Sequence, residues 1–312
     1  MESTLRGAIT ALITPLKNDT SLDEIALEEL LETQLSAGIQ GLALCGSTGE
    51  GHLLREAERG RIYDIAVQNL KNKTKIIASC CEISTSKTLE SAKHAIKCGV
   101  DYLMIASPPY IKPCQEGLYT HFKTIHDSTS TPIIIYNHPG RTGISIRRDT
   151  ICKLAELPRI VALKEADTDL SRVRYLKTRV GKKLALLSGD DSTAAGFMAL
   201  GGQGCISVAS NAVPDVMCSL MDAWIYRNMN TFYDIQKALQ PLFEILTIGG
   251  NPSTIKCIMN LLGYCENTLK PPLQPISKNI ENKIKDLILN IDILNKDEDH
   301  LIEKSIEYGL HE

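Results

Sequence analysis

Ile160-Val161-Ala162-Leu163-Lys164-Glu165-Ala166 is the stretch on which the fold turns. It is short, opens on two β-branched residues and is apolar at every position but two. Strands covered on both faces read this way, and all-parallel sheets are covered on both faces. Seven further runs share the pattern: Ala8–Thr14, Gly41–Gly46, Lys75–Cys80, Tyr102–Ser107, Pro132–Asn137, Leu184–Gly189 and Cys205–Ser210. Longer amphipathic stretches lie between the eight, at Leu22–Ala37, Glu56–Leu70, Ser86–Cys98, Gln115–Ser128, Arg147–Leu157, Asp169–Val180 and Asp191–Leu200. Three of them are followed by a stop glycine: Gly38, Gly99 and Gly181. Eight strands alternating with helices predict βα units with right-handed crossovers, closing into an α/β (β/α)8 TIM barrel. The alternative is an open doubly wound sheet. That fold usually has fewer strands and a phosphate loop, and no G-x-G-x-x-G or G-x-x-x-x-G-K-[ST] follows the first strand.

After about residue 225 the strand pattern stops. Met229–Leu246, Ser253–Leu262 and Ser277–Leu294 read as helices, the last with a stripe at Ile280, Ile284, Leu287, Ile291 and Leu294. The expected organisation is a catalytic barrel over 1–224 and a small C-terminal helical appendage over 225–312, with a charged tail after Asn295. The 312 residues include 34 Lys and Arg against 37 Asp and Glu, a net charge of −3. No basic stripe is available to displace counterions, so no nucleic-acid partner is expected. The ten cysteines are scattered with no C-x-x-C pair, so a metal site is not expected either. The N-terminus MESTLRGAIT has no apolar signal core and no apolar run approaches a membrane span, so no membrane association and a reducing, cytoplasmic location are expected.

Active sites of such barrels lie at the carboxyl ends of the strands. Unusual residues collect there: Gly46-Ser47-Thr48-Gly49-Glu50, Ser107-Pro108-Pro109-Tyr110, Tyr136-Asn137-His138-Pro139-Gly140-Arg141 and Ser188-Gly189-Asp190-Asp191. Lys164 is the most informative. An ammonium inside an apolar strand is costly to desolvate, and burial moves a lysine toward the free amine, a nucleophile that can form a Schiff base with a ketone. The competing reading is a structural lysine paired with a carboxylate such as Glu165. A Schiff-base site also needs donors for a carboxylate, which Ser47-Thr48-Gly49 can supply, and a proton carrier, for which Tyr136 and Tyr110 are candidates bridged by Ser47.

Six motifs together carry a resemblance: G-S-T-G-E at 46–50, P-P-Y-I-K-P-C-Q-E-G-L-Y at 108–119, Y-N-H-P-G-R-T-G at 136–143, L-K-E-A at 163–166, S-G-D-D at 188–191 and N-P at 251–252. Over roughly residues 5–276 the chain resembles the dihydrodipicolinate synthases, within the pyruvate-dependent class I aldolase family that includes N-acetylneuraminate lyase. The resemblance implies a Schiff base between Lys164 and pyruvate, with Tyr136 as the proton donor and acceptor. It implies a hydroxyl relay through Ser47 and Tyr110, with Tyr110 reaching in from a neighbouring subunit of a homotetramer. Thr48 and its adjacent amides would hold the pyruvate carboxylate, and Gly189 and Ile206 would give backbone contacts. Arg141 would hold the carboxylate of aspartate semialdehyde. The product would lie on the route to lysine and diaminopimelate, and no cofactor is implied because the protonated imine is the electron sink.

Two departures bear on subfamily. Synthases usually read G-T-T-G-E, whereas Ser47 gives the turn common in the lyase branch; Arg141 argues the other way, since lyases lack it. A sister aldolase acting on a sugar acid and a non-catalytic pyruvate-binding protein are the competing functions, and Lys164, Tyr136, Tyr110 and Arg141 together speak against the second. Pro109 stands where many members carry a tyrosine. Many members are also inhibited by lysine in an interface cleft that uses an amide, a carboxylate and that tyrosine. The aligned positions here are Ile83, Lys87 and Pro109, so lysine is expected to inhibit weakly or not at all. Glu82 is the nearby carboxylate that could substitute.

Overall fold

The computed structural model describes residues 5–289 and 291–294. Its centre is a closed barrel of eight parallel strands, each paired to the next and the eighth to the first. The strands are β1 Gly7–Ala11, β2 Gly41–Leu44, β3 Lys75–Ser79, β4 Tyr102–Ala106, β5 Ile133–Asn137, β6 Ile160–Glu165, β7 Ala185–Ser188 and β8 Gly204–Ser207. All eight expected strands are present, most of them shorter than the apolar runs that announced them.

The helices of the barrel are α1 Glu24–Ser36, α2 Glu56–Leu70, α3 Thr85–Cys98, α4 Gln115–Ser128, the single turn α5 Pro139–Thr142, α6 Arg148–Leu154, α7 Ser171–Val180, α8 Ala194–Ala199 and α9 Pro214–Ile225. Local chemistry sets their ends. The Asp23 and Ser84 side chains accept the amide hydrogens of Ala26 and Lys87, capping α1 and α3. Gly38 and Gly99 follow those helices at φ +78° and +92°, where a Cβ is strained. Two elements lie outside the sequence expectation: the turn α5, and α9, which completes the eighth βα unit. The remaining helices are α10 Met229–Leu246, α11 Ser253–Leu261 and α12 Lys278–Ile288.

The stripe expected on the last helix needs correction. Leu287 is 37 % exposed and Ile288 is buried in its place. The α-helix ends at Ile288; Ile291 packs from the link that follows, and Leu294 from a separate short 3-10 turn, Asp292–Leu294. The expected charged tail lies outside the described residues. Among those residues, no helix is long and apolar enough to cross a membrane.

Two apolar layers follow from strand alternation. The larger fills the space between strands and helices. The smaller fills the barrel itself, with Ile9, Ala43, Ile77, Met104, Ile134, Ala162, Leu187 and Ile206. Tyr136 belongs to the inner layer. Lys164 follows Ala162 by two residues on β6, so it also faces inward, whereas Glu165 faces the helices.

Candidate active site

Strand register creates the centre of the site. Tyr136 on β5 pairs in register with Lys164 on β6, and Lys164 with Leu187 on β7. Partners across parallel strands share a face, so the phenol and the amine meet inside the barrel mouth. The Lys164 Nζ lies 4.5 Å from the centre of the Tyr136 ring, and Lys164 is only 5 % exposed. Among the described residues no carboxylate lies within ion-pair distance of that amine. Burial pulls the Lys164 amine down from the usual lysine value to about 8, although the nearby Cys205 and Asp191 work in the opposite direction.

The ion-paired reading of Lys164 therefore fails, and strand alternation is the reason. Glu165 points the other way. It accepts hydrogen bonds from Asn137 Nδ2, from Arg172 Nε at 3.1 Å and from the Asp167 amide at 3.1 Å. This buried network ties β5 and β6 to α7 and fixes the strand that carries Lys164. Lys256 provides the contrast. It is fully buried, yet its Nζ lies 2.6 Å from Glu50 Oε1 and donates to Thr268 O at 2.6 Å. Of the two lysines buried among the described residues, Lys256 is neutralised by a carboxylate and Lys164 is not.

A cavity of about 180 Å³ opens over Lys164. Ser47, Thr48, Tyr136, Arg141, Lys164 and Gly189 all line it, so six of the eight expected residues converge. Burial pushes the Tyr136 phenol up to about 12, against the lowering influence of the nearby Ser47 hydroxyl. Thr48 Oγ1 accepts from Asn251 Nδ2 at 2.9 Å, and Arg141 Nη2 donates to Asn251 O at 2.9 Å. Asn251 thus links the β2 turn to the β5 turn. The β2 turn is itself compact: Gly51 N donates to Gly46 O at 3.0 Å, and a Cβ on Gly51 would lie 1.7 Å from Cys45 O. At Gly189 a Cβ would lie 3.1 Å from Lys164 Cε and 2.8 Å from Ala166 Cβ, so glycine leaves the lysine room to move.

The other two expected residues stand apart from the cavity wall. Ile206 on β8 is fully buried in the inner layer, and Val208 is the neighbour that lines the cavity. Tyr110 lies in the loop between β4 and α4, 86 % exposed and at φ +74°.

Sequence reasoning gave no role to several lining residues. Phe243, Leu246 and Thr247 come from the end of α10, which arches over the barrel mouth. Asp191 is buried and accepts the amide hydrogens of Val208 and Ala209 at 2.9 and 3.0 Å, holding the end of β8 in place. Asn251 and His138 stood inside quoted motifs without an assignment. Orphaned polar atoms are the signal that singles them out: Asn251 Oδ1 and His138 Nδ1 are buried without a hydrogen-bond partner.

Comparison with known proteins converges on one family. The dihydrodipicolinate synthetase family model matches residues 4–291. The 4-hydroxy-tetrahydrodipicolinate synthase of Rickettsia bellii is 37 % identical over 293 residues, 94 % of this chain and 99 % of that protein. The crystal structure of dihydrodipicolinate synthase from Aquifex aeolicus superposes with a TM-score of 0.90 at 36 % identity, covering 94 % of this chain and all of that one. The Acinetobacter baumannii dihydrodipicolinate synthase, solved in complex with pyruvate, has a TM-score of 0.91 at 32 % identity over 93 % of this chain and all of that one.

Proposed function

The chain belongs to the dihydrodipicolinate synthetase family, and from that premise we propose that Lys164 forms the Schiff base through which it condenses pyruvate with L-aspartate 4-semialdehyde. The enzyme is a 4-hydroxy-tetrahydrodipicolinate synthase, acting at the first committed step of the lysine and diaminopimelate route. The observation that carries the reading is the buried Lys164 amine, without a carboxylate partner, beside the Tyr136 phenol.

The free amine adds to C2 of pyruvate, and the carbinolamine loses water to give the imine. The protonated imine withdraws electrons and the methyl carbon loses a proton, leaving an enamine. The enamine carbon attacks the aldehyde, whose oxygen takes up a proton. The substrate's own amino group then adds to the imine carbon and expels Lys164, closing the ring. One water leaves in the whole sequence and Lys164 is regenerated. Tyr136, held as a phenol by burial, moves the protons, with Ser47 next to it. Thr48 and its adjacent amides hold the pyruvate carboxylate, and Gly189 and Ile206 frame the bound pyruvate through their backbones. A coupled assay offering pyruvate with a panel of aldehydes tests the substrate: aspartate semialdehyde turns over fastest. Preference for a sugar aldehyde would favour a sister aldolase.

Arg141 takes the carboxylate of the semialdehyde. Arg141→Ala is expected to keep the pyruvate adduct and to lose about 10–150-fold in kcat/KM for the semialdehyde, the worth of one charge-assisted contact. Steady-state kinetics with each substrate varied in turn check this.

Tyr110 serves a neighbouring copy in a cytoplasmic homotetramer. Its exposure on a proline-rich turn supports this, as do ten cysteines that are all free thiols, which suit a reducing compartment. Mixing Tyr110→Phe with Lys164→Ala is expected to restore activity in mixed oligomers, because one site then draws intact residues from both chains. Mixed oligomers that stay inactive would count against sharing.

Lysine is expected to leave the enzyme almost uninhibited up to about 1 mM. Ile83 is 45 % exposed and cannot bond a carboxylate, Lys87 would repel an ammonium, and Glu82 is already paired with Arg59. Half-maximal inhibition by submillimolar lysine would overturn that expectation.

A further inference from the structure

His138 is a cavity-lining group that the reaction sequence above leaves without a task. It ends the run from β5, and its carbonyl accepts the amide hydrogens of Arg141 and Thr142 at 3.0 Å each. One short turn therefore presents the His138 imidazole and the Arg141 guanidinium to the same cavity. The imidazole stands edge-on to the Tyr136 ring, 5.8 Å between centroids and 70° between planes. Its Nδ1 is sealed from solvent without a partner, and no other side chain hydrogen-bonds the ring among the described residues. A polar ring that lines a reactive cavity and is bonded by no other side chain is suited to a partner on the ligand.

The charge state narrows that partner. Burial, with the Arg141 and Lys164 charges next, pulls the His138 imidazole down to about 4, so it is neutral near pH 7. A neutral imidazole keeps one acceptor nitrogen. The semialdehyde carries an α-amino-acid headgroup, in which carboxylate and ammonium hang from one carbon. Once Arg141 takes the carboxylate, the ammonium needs an acceptor close by; the Asp190 and Asp191 carboxylates line the same cavity but are engaged by Ser192 and Thr193 and by the Val208 and Ala209 amides, whereas the His138 ring has no side-chain partner.

We propose that His138 accepts a hydrogen bond from the ammonium of the second substrate and so selects α-amino aldehydes over aldehydes that carry only the carboxylate. The proposal rests on the reading of this site as a synthase acting on aspartate semialdehyde. His138 and Arg141 then read the two halves of one headgroup from one turn, and leave the aldehyde end directed at the enamine on Lys164.

The test compares wild type with His138→Phe, which keeps a ring but no acceptor, and His138→Gln, which keeps an acceptor. The expected result is a rise of about 10–50-fold in KM for the semialdehyde in His138→Phe, with kcat changed less than about threefold. Glutamine recovers most of the loss, and pyruvate still forms its adduct on Lys164 in both variants. Succinate semialdehyde, which lacks the ammonium, inhibits all three proteins equally. An unchanged KM in His138→Phe would overturn the proposal, as would equal losses in both variants or weakened succinate semialdehyde inhibition in His138→Phe. A wild-type enzyme that forms the adduct but does not use aspartate semialdehyde would instead overturn the underlying reading and the proposal with it.

Discussion

Lys164→Ala is expected to reduce turnover by about 10⁴-fold or more, because it removes the atom proposed to bond to the substrate. The fold is expected to survive the change. Lys164 holds no carboxylate, so its loss strands no buried charge, and a melting curve close to wild type checks that. Lys256→Ala should behave in the opposite way: it leaves Glu50 buried without its partner, which costs about 3–5 kcal/mol of stability. The two variants thus separate a chemical lysine from a structural one. The pH profile carries the same signature. Only the free amine adds to pyruvate, and the Lys164 amine sits at about 8 in the free enzyme. The rate of adduct formation should climb about tenfold per pH unit below 8 and level off above it, whereas an ordinary lysine would still be climbing near pH 10.

Tyr136→Phe is expected to lower kcat by about 10²–10⁴-fold, the range of one positioned proton carrier. The ring remains to pack against His138 and to face the Lys164 amine, so the loss isolates the hydroxyl. Adduct formation with pyruvate and overall condensation should both slow, since carbinolamine dehydration and enamine formation each move a proton. Stopped-flow measurement of the adduct beside steady-state turnover checks both. A variant within about threefold of wild type in both would remove Tyr136 from the chemistry.

The eight strands were legible because a parallel barrel covers them on both faces, which leaves runs such as Ile160–Leu163 apolar throughout. Lys164 was legible for the same reason: it breaks a pattern that burial enforces. Whether it was paired was not legible, because adjacency in sequence places Glu165 on the opposite face of the strand, where Arg172 and Asn137 hold it. The α9 helix had its apolar residues at Met217, Leu220 and Met221, the spacing of one helical face. It was missed because no strand follows it to demand a crossover. The helix Met229–Leu246 and the Asn251-Pro252 motif were legible, but their place over the cavity was not. Phe243, Leu246 and Asn251 meet Ser47, Thr48 and Arg141 only because α10 folds back over the barrel mouth, and no local periodicity encodes such a return.

Pyruvate is expected to bond covalently to Lys164 and not to Lys256, the two lysines buried among the described residues. Wild-type enzyme is incubated with pyruvate, reduced with sodium borohydride, digested and mapped by peptide mass spectrometry. The account predicts a reduced pyruvate adduct on the peptide that contains Lys164 and none on the peptide that contains Lys256. An adduct on Lys256, or on any other lysine while the Lys164 peptide stays unmodified, would contradict it.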